Sequence, residues 1–397
     1  MNELPVKAGL DVLAADNFRQ LQNKNIALLC HQASVDSQFH HILDLLVPLH
    51  KNKSLHITAV FGPQHGLWGH TQDNMIEWEG YSEQGSGIPV YSLYGKLRKP
   101  SPEMLKECEL LIVDLQDVGA RYYTFIWTMA LCMEACSELG ITVMVLDRPN
   151  PLSGHFTEGT VLQQEFSSFV GLYPLPLRHG MTIGEIARYL QGRYFPELNL
   201  EIIEIQNWHR EYFFPACKLP WILPSPNIPC WESTLVYPGM CLLEGTNLSE
   251  GRGTTRPFEF FGAPWINGRK MADELNFLDL PGVWFRPVQF QPTFQKYAGE
   301  ICEGCFIHVT DPMVFRPVLS AVALLQQIFK LRLRQFRWNP PPYEYEYEKL
   351  PFDILAGNGW LRQMIENQAD LKEISGQFKI ELQAFEPLRN RYLIYRE

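Results

Sequence analysis

Asp114, Asp117 and Asp147 stand in turn-rich segments of an otherwise apolar chain, in company with Arg121, Arg148, Arg178 and Arg252. Asp73, Glu77 and Glu79 add carboxylates a little further from an apolar run, and Trp68, Trp78, Tyr122 and Tyr123 supply flat aromatic faces. Paired carboxylates with aromatic platforms suit a sugar site. Glycoside hydrolysis needs one carboxyl to protonate the leaving oxygen and another to stabilise or attack the anomeric carbon. The arginines suit an anionic substituent on that sugar, because a guanidinium grips a carboxylate through parallel hydrogen bonds; Arg121 and Arg252 are the first candidates. His65, His70 and His179 with neighbouring aspartates are metal-ligand types, but no HxH or HExxH spacing organises them, so no metal is expected. No GxSxG elbow is present, and Cys30 reads as a small apolar residue.

The elements that must position these groups are legible as alternation. Short apolar runs at 26–29 ("IALL"), 57–61 ("ITAVF"), 110–113 ("LLIV") and 141–146 ("ITVMVL") are separated by helical spacing, as in "TFIWTMALCMEACSEL" at 124–139. That is the βαβ pattern of a mainly parallel sheet with helices on both faces, an α/β fold. Thr182 and Glu185 stand at capping-box spacing and predict a helix start, and "LEIIEI" predicts a further strand. From about 206 to 300 the texture turns to Pro, Gly, Trp and Asn, which suggests long connections over the sheet's edge. "GCFIHVT" then reads as a strand and "DPMVFRPVLSAVALLQQIFKL" as a helix with Asp311 as N-cap and Pro312 at its first position, in a smaller α+β domain. "RWNPPPYEYEYEKLPFD" reads as linker.

Four consecutive strands are followed by polar, turn-rich segments: "CHQASVD", "GPQHGLWGH", "DLQDVGARYYT" and "DRPNPLSG". Ligands of open parallel sheets bind outside the carboxyl ends of the strands, so one site is expected there, lined by Gln64, His65, Asp117, Arg121, Asp147 and Arg252 together. No GxGxxG or Walker A sequence follows any of these strands, which leaves a nucleotide without support. "EGTNLSEGRGTT" adds Glu244, Asn247, Glu250 and Arg252 in one glycine-rich loop where backbone can approach a ligand. "RHGMT", with His179, serves equally as a helix entry or a substrate contact. Asp147 and Arg148 of "DRPNP" have the alternative of pairing with each other at the strand end.

The chain has 397 residues, 46% of them apolar and 13% aromatic, enough for substantial cores. A net charge of −10 without a Lys/Arg cluster argues against nucleic acid. No basic-then-apolar leader opens the sequence and no 18 apolar residues run together, so a soluble, unexported, cytoplasmic protein with no membrane partner is expected. Nine cysteines without a secretory framework are expected to be reduced and mostly buried.

The boxes "LYGKLRKPSPEML", "DLQDVGARYYTFIWTMALCMEA", "VLDRPNPLSG", "FVGLYPLPLRHGMTIGE", "LPSPNIP" and "VYPGMCLLEGTNLSEGRGTTRPFEFFGAP" resemble the exo-β-N-acetylmuramidase family, glycoside hydrolase family 171, formerly a domain of unknown function. The resemblance runs from about residue 26 into the C-terminal region. It implies a Rossmann-like catalytic domain, placed at 1–245, and an auxiliary α+β domain at 246–397, with the site in the cleft between them. It also implies release of non-reducing terminal N-acetylmuramic acid from peptidoglycan fragments, a small glycan substrate and no cofactor. Substrate contacts are expected from Arg121, Tyr122, Asp147, Arg148, His179, Glu244, Asn247, Glu250 and Arg252. One box departs from the family pattern: where the family carries Pro-Glu-His-Gly, with that Glu as catalytic carboxyl, this chain has Gln64, followed by His65. A Gln amide cannot protonate a glycosidic oxygen. Glu77, then Asp73, are the expected replacements, with Gln64, His65 and Asp117 beside them. The alternatives are a cleft that binds glycan without hydrolysis and a hydrolase of a different glycoside.

Overall fold

The structure, a computed structural model, describes residues 4–83, 85–331 and 333–395; the first three residues of the segment read above for a leader lie outside it. The apolar runs are strands: β1 (Asn25–Cys30), β2 (His56–Gly62), β3 (Tyr81–Ser82), β4 (Pro89–Ser92), β5 (Leu110–Asp114) and β6 (Thr142–Leu146). β7 (Glu158–Val161) and β8 (Pro176–Arg178) pair apart from these, and β9 (Leu200–Ile203) completes the main sheet. Its order is β3-β4-β2-β1-β5-β6-β9, with every pair parallel except β3–β4 at one edge. All five residues of β5 are buried, as expected of a parallel strand covered on both faces. The chain departs from β1 toward β2 on one side and toward β5 on the other. That reversal opens a crevice at the carboxyl ends of β1 and β5.

The helix Phe125–Leu139 ends on Gly140, whose φ of 69° lets its N–H reach the Cys136 carbonyl. At the helix Ile183–Tyr194 the expected capping box is present: Thr182 Oγ1 accepts from Glu185 N (3.2 Å) and Glu185 Oε2 from Thr182 N (3.0 Å). The later helix starts beyond its expected position, at Pro317 and not at Pro312. Arg316, forced off the helical region by the proline that follows it, has φ −121° and ψ 87°. Asp311 instead closes a local turn, accepting from Met313 N at 2.9 Å.

The stretch 206–300 is more regular than its composition suggested. It contains the helix Trp231–Met240, β10 (Phe260–Ala263), the helix Gly268–Phe277 and β11 (Val283–Phe290). With β12 (Cys302–Val309) these strands form an antiparallel sheet in the order β10-β12-β11, the smaller α+β unit. Pro238 and Gly239 disguised the first of these helices. Gly239 lets it meet the helix Pro317–Lys330 so closely that a Cβ there would lie 2.0 Å from the Pro317 carbonyl oxygen. Gly239→Ala is therefore expected to destabilise the protein by about 1–3 kcal/mol, read as a lower denaturant midpoint. An unchanged midpoint would mean the two helices separate freely. The nine cysteines are all free, eight of them buried.

Candidate active site

The opening turn after β2 folds on itself. Gly66 N–H donates to the Pro63 carbonyl, Thr71 N–H to that of His65, and His65 holds a left-handed backbone at φ 71°. Gln64 and His65 are thereby turned toward the start of the helix Phe125–Leu139. There they line one wall of a narrow polar cavity of about 30 Å³. Tyr122, Tyr123 and Phe125 line it from the β5 end, Glu244 and Arg252 from the loop after the helix Trp231–Met240, and Tyr343 and Glu344 from the C-terminal region.

His65 is buried, and burial, helped by the nearby Arg252, lowers its pKa to about 4. Its Nδ1 lies 2.7 Å from the Thr71 carbonyl, which can only accept, so the proton is on Nδ1 and Nε2 is an acceptor. Glu244 accepts from Arg252 Nη2 (2.8 Å), Tyr343 OH (2.7 Å) and Asn74 Nδ2 (3.1 Å). Arg252 is only 7% exposed, yet its Nε and Nη1 have no hydrogen-bond partner among the described residues. Gly251 and Gly253, at φ 79° and 78°, carry the loop past backbone that a Cβ would strike at 2.8 and 2.6 Å. Lys296 fastens the same loop through the carbonyls of Leu243 and Leu248 and through Glu250 (2.8 Å). Burial opposes the Glu250 charge, but Lys296 and Arg252 outweigh it and hold its pKa below the usual carboxylate value.

Glu344 escaped the sequence reading, which took its segment for a linker. Tyr343 and Glu346 exchange both backbone hydrogen bonds (2.8 and 2.9 Å) around Glu344 and Tyr345, at φ 44° and 67°. This tight turn sends the Glu344 carboxyl inward, 4% exposed, to accept from Gln64 Nε2 (3.3 Å) and Tyr94 OH (2.8 Å). Gln64 Oε1 in turn accepts from Thr124 (2.7 Å), which fixes the orientation of the amide. Burial first, then the neighbouring Glu244 charge, push the Glu344 pKa up to about 7 against the hydrogen bonds from Tyr94 and Gln64 and the charge of Arg252.

The expected set of six is only half assembled. Gln64, His65 and Arg252 line the cavity, whereas Asp117, Arg121 and Asp147 do not. Arg121 is wholly buried and spends its guanidinium on the carbonyls of Thr160, Leu175 and Leu355. Asp117 accepts from Gly119 N (2.7 Å) and faces His179, itself fully buried, at 3.1 Å. Asp147 anchors the helix Ile183–Tyr194 through Thr182 (2.7 Å) and Gly184 N (2.8 Å), and also bonds Tyr395. The Arg148 guanidinium pairs with Asp114 (2.6 Å), and only its backbone N–H donates to Asp147 (2.9 Å). Asn247 faces outward, bonded to Gln335 and Arg337. Tyr122 does reach the cavity, with its hydroxyl tied to the Pro238 carbonyl. Glu77 and Glu79 are exposed, Glu77 at 3.3 Å from Tyr345 OH on the rim, and Asp73 accepts from Gln295 outside the cavity.

Among the described residues no three His, Cys, Asp or Glu side chains converge as a metal site requires, and no helix is long and apolar enough to cross a membrane. The family models described as exo-beta-N-acetylmuramidase NamZ, N-terminal and C-terminal, match residues 26–232 and 235–395. The peptidoglycan beta-N-acetylmuramidase NamZ of Bacillus subtilis is 45% identical over 391 residues, 98% of this chain and 91% of that one. Two crystal structures of DUF1343 family proteins from Bacteroides fragilis share the fold. One is 31% identical with a TM-score of 0.87, covering 99% of each chain. The other is 29% identical with a TM-score of 0.75, covering 99% of this chain and 100% of its own.

Proposed function

This chain belongs to the exo-β-N-acetylmuramidase family, and from that premise we propose that it is a glycoside hydrolase releasing terminal N-acetylmuramic acid from peptidoglycan-derived fragments, in the cavity beside Gln64. The observation that carries the sugar's identity is Arg252, a buried guanidinium with two nitrogens unpartnered among the described residues. A lactyl carboxylate, the group that distinguishes muramic acid from glucosamine, supplies the missing acceptor and its charge. Tyr122, Tyr123 and Phe125 offer aromatic faces for the ring, and neutral His65 offers an acceptor at Nε2 for a sugar hydroxyl or amide. Glu244, a second carboxylate of the cavity wall paired with Arg252, is our candidate to stabilise the anomeric carbon as it becomes cationic. A narrow cavity, as against an open groove, favours a chain end.

The purified protein is expected to liberate free N-acetylmuramic acid from a muramyl-terminated disaccharide faster, by about 10- to 150-fold, than it liberates N-acetylglucosamine from the glucosaminyl-terminated isomer. Gln64 favours a second reading, a protein that binds the muramyl end without cleaving it. Calorimetric binding of the disaccharide with no free sugar after long incubation would establish that reading, and absence of binding would refute both. Nine free cysteines fit a reducing compartment, so we place the enzyme in the cytoplasm, acting on imported fragments. Recovery of the native protein in an extracellular fraction would contradict this placement.

A further inference from the structure

Resting on that reading of the cavity, we propose that Glu344 is the proton donor to the leaving oxygen, carried in by the C-terminal turn to stand against Gln64. Among the carboxylates near this site the geometry singles it out. Glu77 and Glu79 are exposed, Asp73 is engaged by Gln295, and Glu244 is committed to Arg252, Tyr343 and Asn74. Among the described carboxylates, Glu344 alone combines burial, a place in the cavity wall and a hydrogen bond to the Gln64 amide. The side chain at 64, unable to donate an acidic proton itself, holds one that can.

The turn carrying Glu344 supports the assignment independently. Both of its central residues have positive φ, the type I′ arrangement that favours Asn-Gly and costs a residue with a Cβ. Glu-Tyr occupies it here, and both side chains are used. Tyr345 packs edge-on against Tyr94, with the Arg98 guanidinium 4.0 Å above its ring, while Glu344 bonds Tyr94 itself. Backbone strain kept in place by such packing is characteristic of functional positions. A carboxyl that ionises near 7 is protonated in a useful fraction of molecules at neutral pH and becomes a good base once its proton is given.

In the step proposed, the bond between the anomeric carbon and the leaving oxygen breaks with its electron pair going to oxygen. That oxygen takes the Glu344 proton and departs as an alcohol. Water then gives its hydroxyl to the anomeric carbon, and its remaining proton restores Glu344. The balance is one glycoside and one water for two sugars.

The test compares Glu344→Gln with wild type on two muramyl substrates, a disaccharide and a 2,4-dinitrophenyl glycoside. A sugar alkoxide is a poor leaving group and needs the proton, so kcat/KM, which reports cleavage of the glycosidic bond, should fall roughly 100- to 10,000-fold; the dinitrophenolate does not, and there the fall in kcat/KM should stay below about 10-fold. Equal losses on both substrates, or undiminished turnover of the disaccharide, would overturn the assignment. Tyr94→Phe gives a second readout that does not require Glu344→Gln to fold. Removing the Tyr94 donor disfavours the ionised carboxyl and raises its pKa, so the limb where kcat/KM falls with rising pH should move to higher pH. A limb that stays in place also overturns it. A wild type that turns over neither substrate contradicts the proposed activity itself, an outcome distinct from failure of Glu344 alone.

Discussion

Arg252→Ala is expected to lower kcat/KM for a muramyl substrate about 10- to 150-fold more than for its glucosaminyl counterpart. A hydrogen bond to a charged group contributes about 1.5–3 kcal/mol, and only the muramyl sugar brings the carboxylate that makes one with Arg252. The quantity to read is the ratio between the two substrates. Arg252 also bonds Glu244 at 2.8 Å, so its loss disturbs that carboxylate for both sugars alike, and the disturbance cancels in the ratio. Arg252→Lys keeps the charge but not the planar array of donors, and should fall between wild type and Ala. Equal losses on both sugars would mean that Arg252 serves only to hold Glu244.

Arg121→Ala is expected to do the opposite, lowering stability by about 3 kcal/mol or more while leaving the preference between the two sugars unchanged. Arg121 is fully buried and donates to three carbonyls drawn from β7, the approach to β8 and the helix Pro351–Ala356. Each buried acceptor left without a donor costs about 1–3 kcal/mol, and the emptied space adds to that sum. The chain is built around the guanidinium: Gly357, at φ 74°, passes so close that a Cβ would lie 2.8 Å from Arg121 Nη2. A lower denaturant midpoint with an unaltered substrate ratio is the expected result. A full-strength midpoint, or a changed ratio, would return Arg121 to the substrate.

These two arginines show how far the sequence could be read. Both sit in polar, turn-rich segments, and residue type alone gives them the same chemistry. What separates them is which groups from distant parts of the chain close over each one: carbonyls from residues 160, 175 and 355 over Arg121, and the cavity over Arg252. The strands were legible because a parallel sheet covered on both faces demands unbroken apolar runs, and the cap at Thr182 because its partner Glu185 lies three residues away. Local signals of this kind survive without tertiary context. The aspartates after β5 and β6 stand at strand ends as expected, yet Asp114 is taken by Arg148, Asp117 lies against His179, and Asp147 is consumed by a helix start.

Glu344 was hidden for the converse reason. Alternating tyrosine and glutamate after three prolines looks like a solvated connection, and Tyr94, 250 positions earlier, is what makes its carboxyl a buried one. One signal was present: a segment with three tyrosines at 343, 345 and 347 is too aromatic for a plain linker, and two of those rings do point to where it packs. The sequence shows that the amide at 64 cannot act as an acid, but the carboxylates that follow it closely are the exposed Glu77 and the engaged Asp73, and the carboxylate that the fold brings against Gln64 is distant in sequence.

A crystal structure of the Glu344→Gln protein with an intact muramyl disaccharide tests the central claim most directly, because the variant should bind without cleaving. The sugar is expected in the cavity beside Gln64, with its lactyl carboxylate on Arg252 and its glycosidic oxygen within about 3.2 Å of the side chain at 344. A disaccharide bound elsewhere, or seated with its lactyl group away from Arg252 and its glycosidic oxygen out of reach of residue 344, would contradict it.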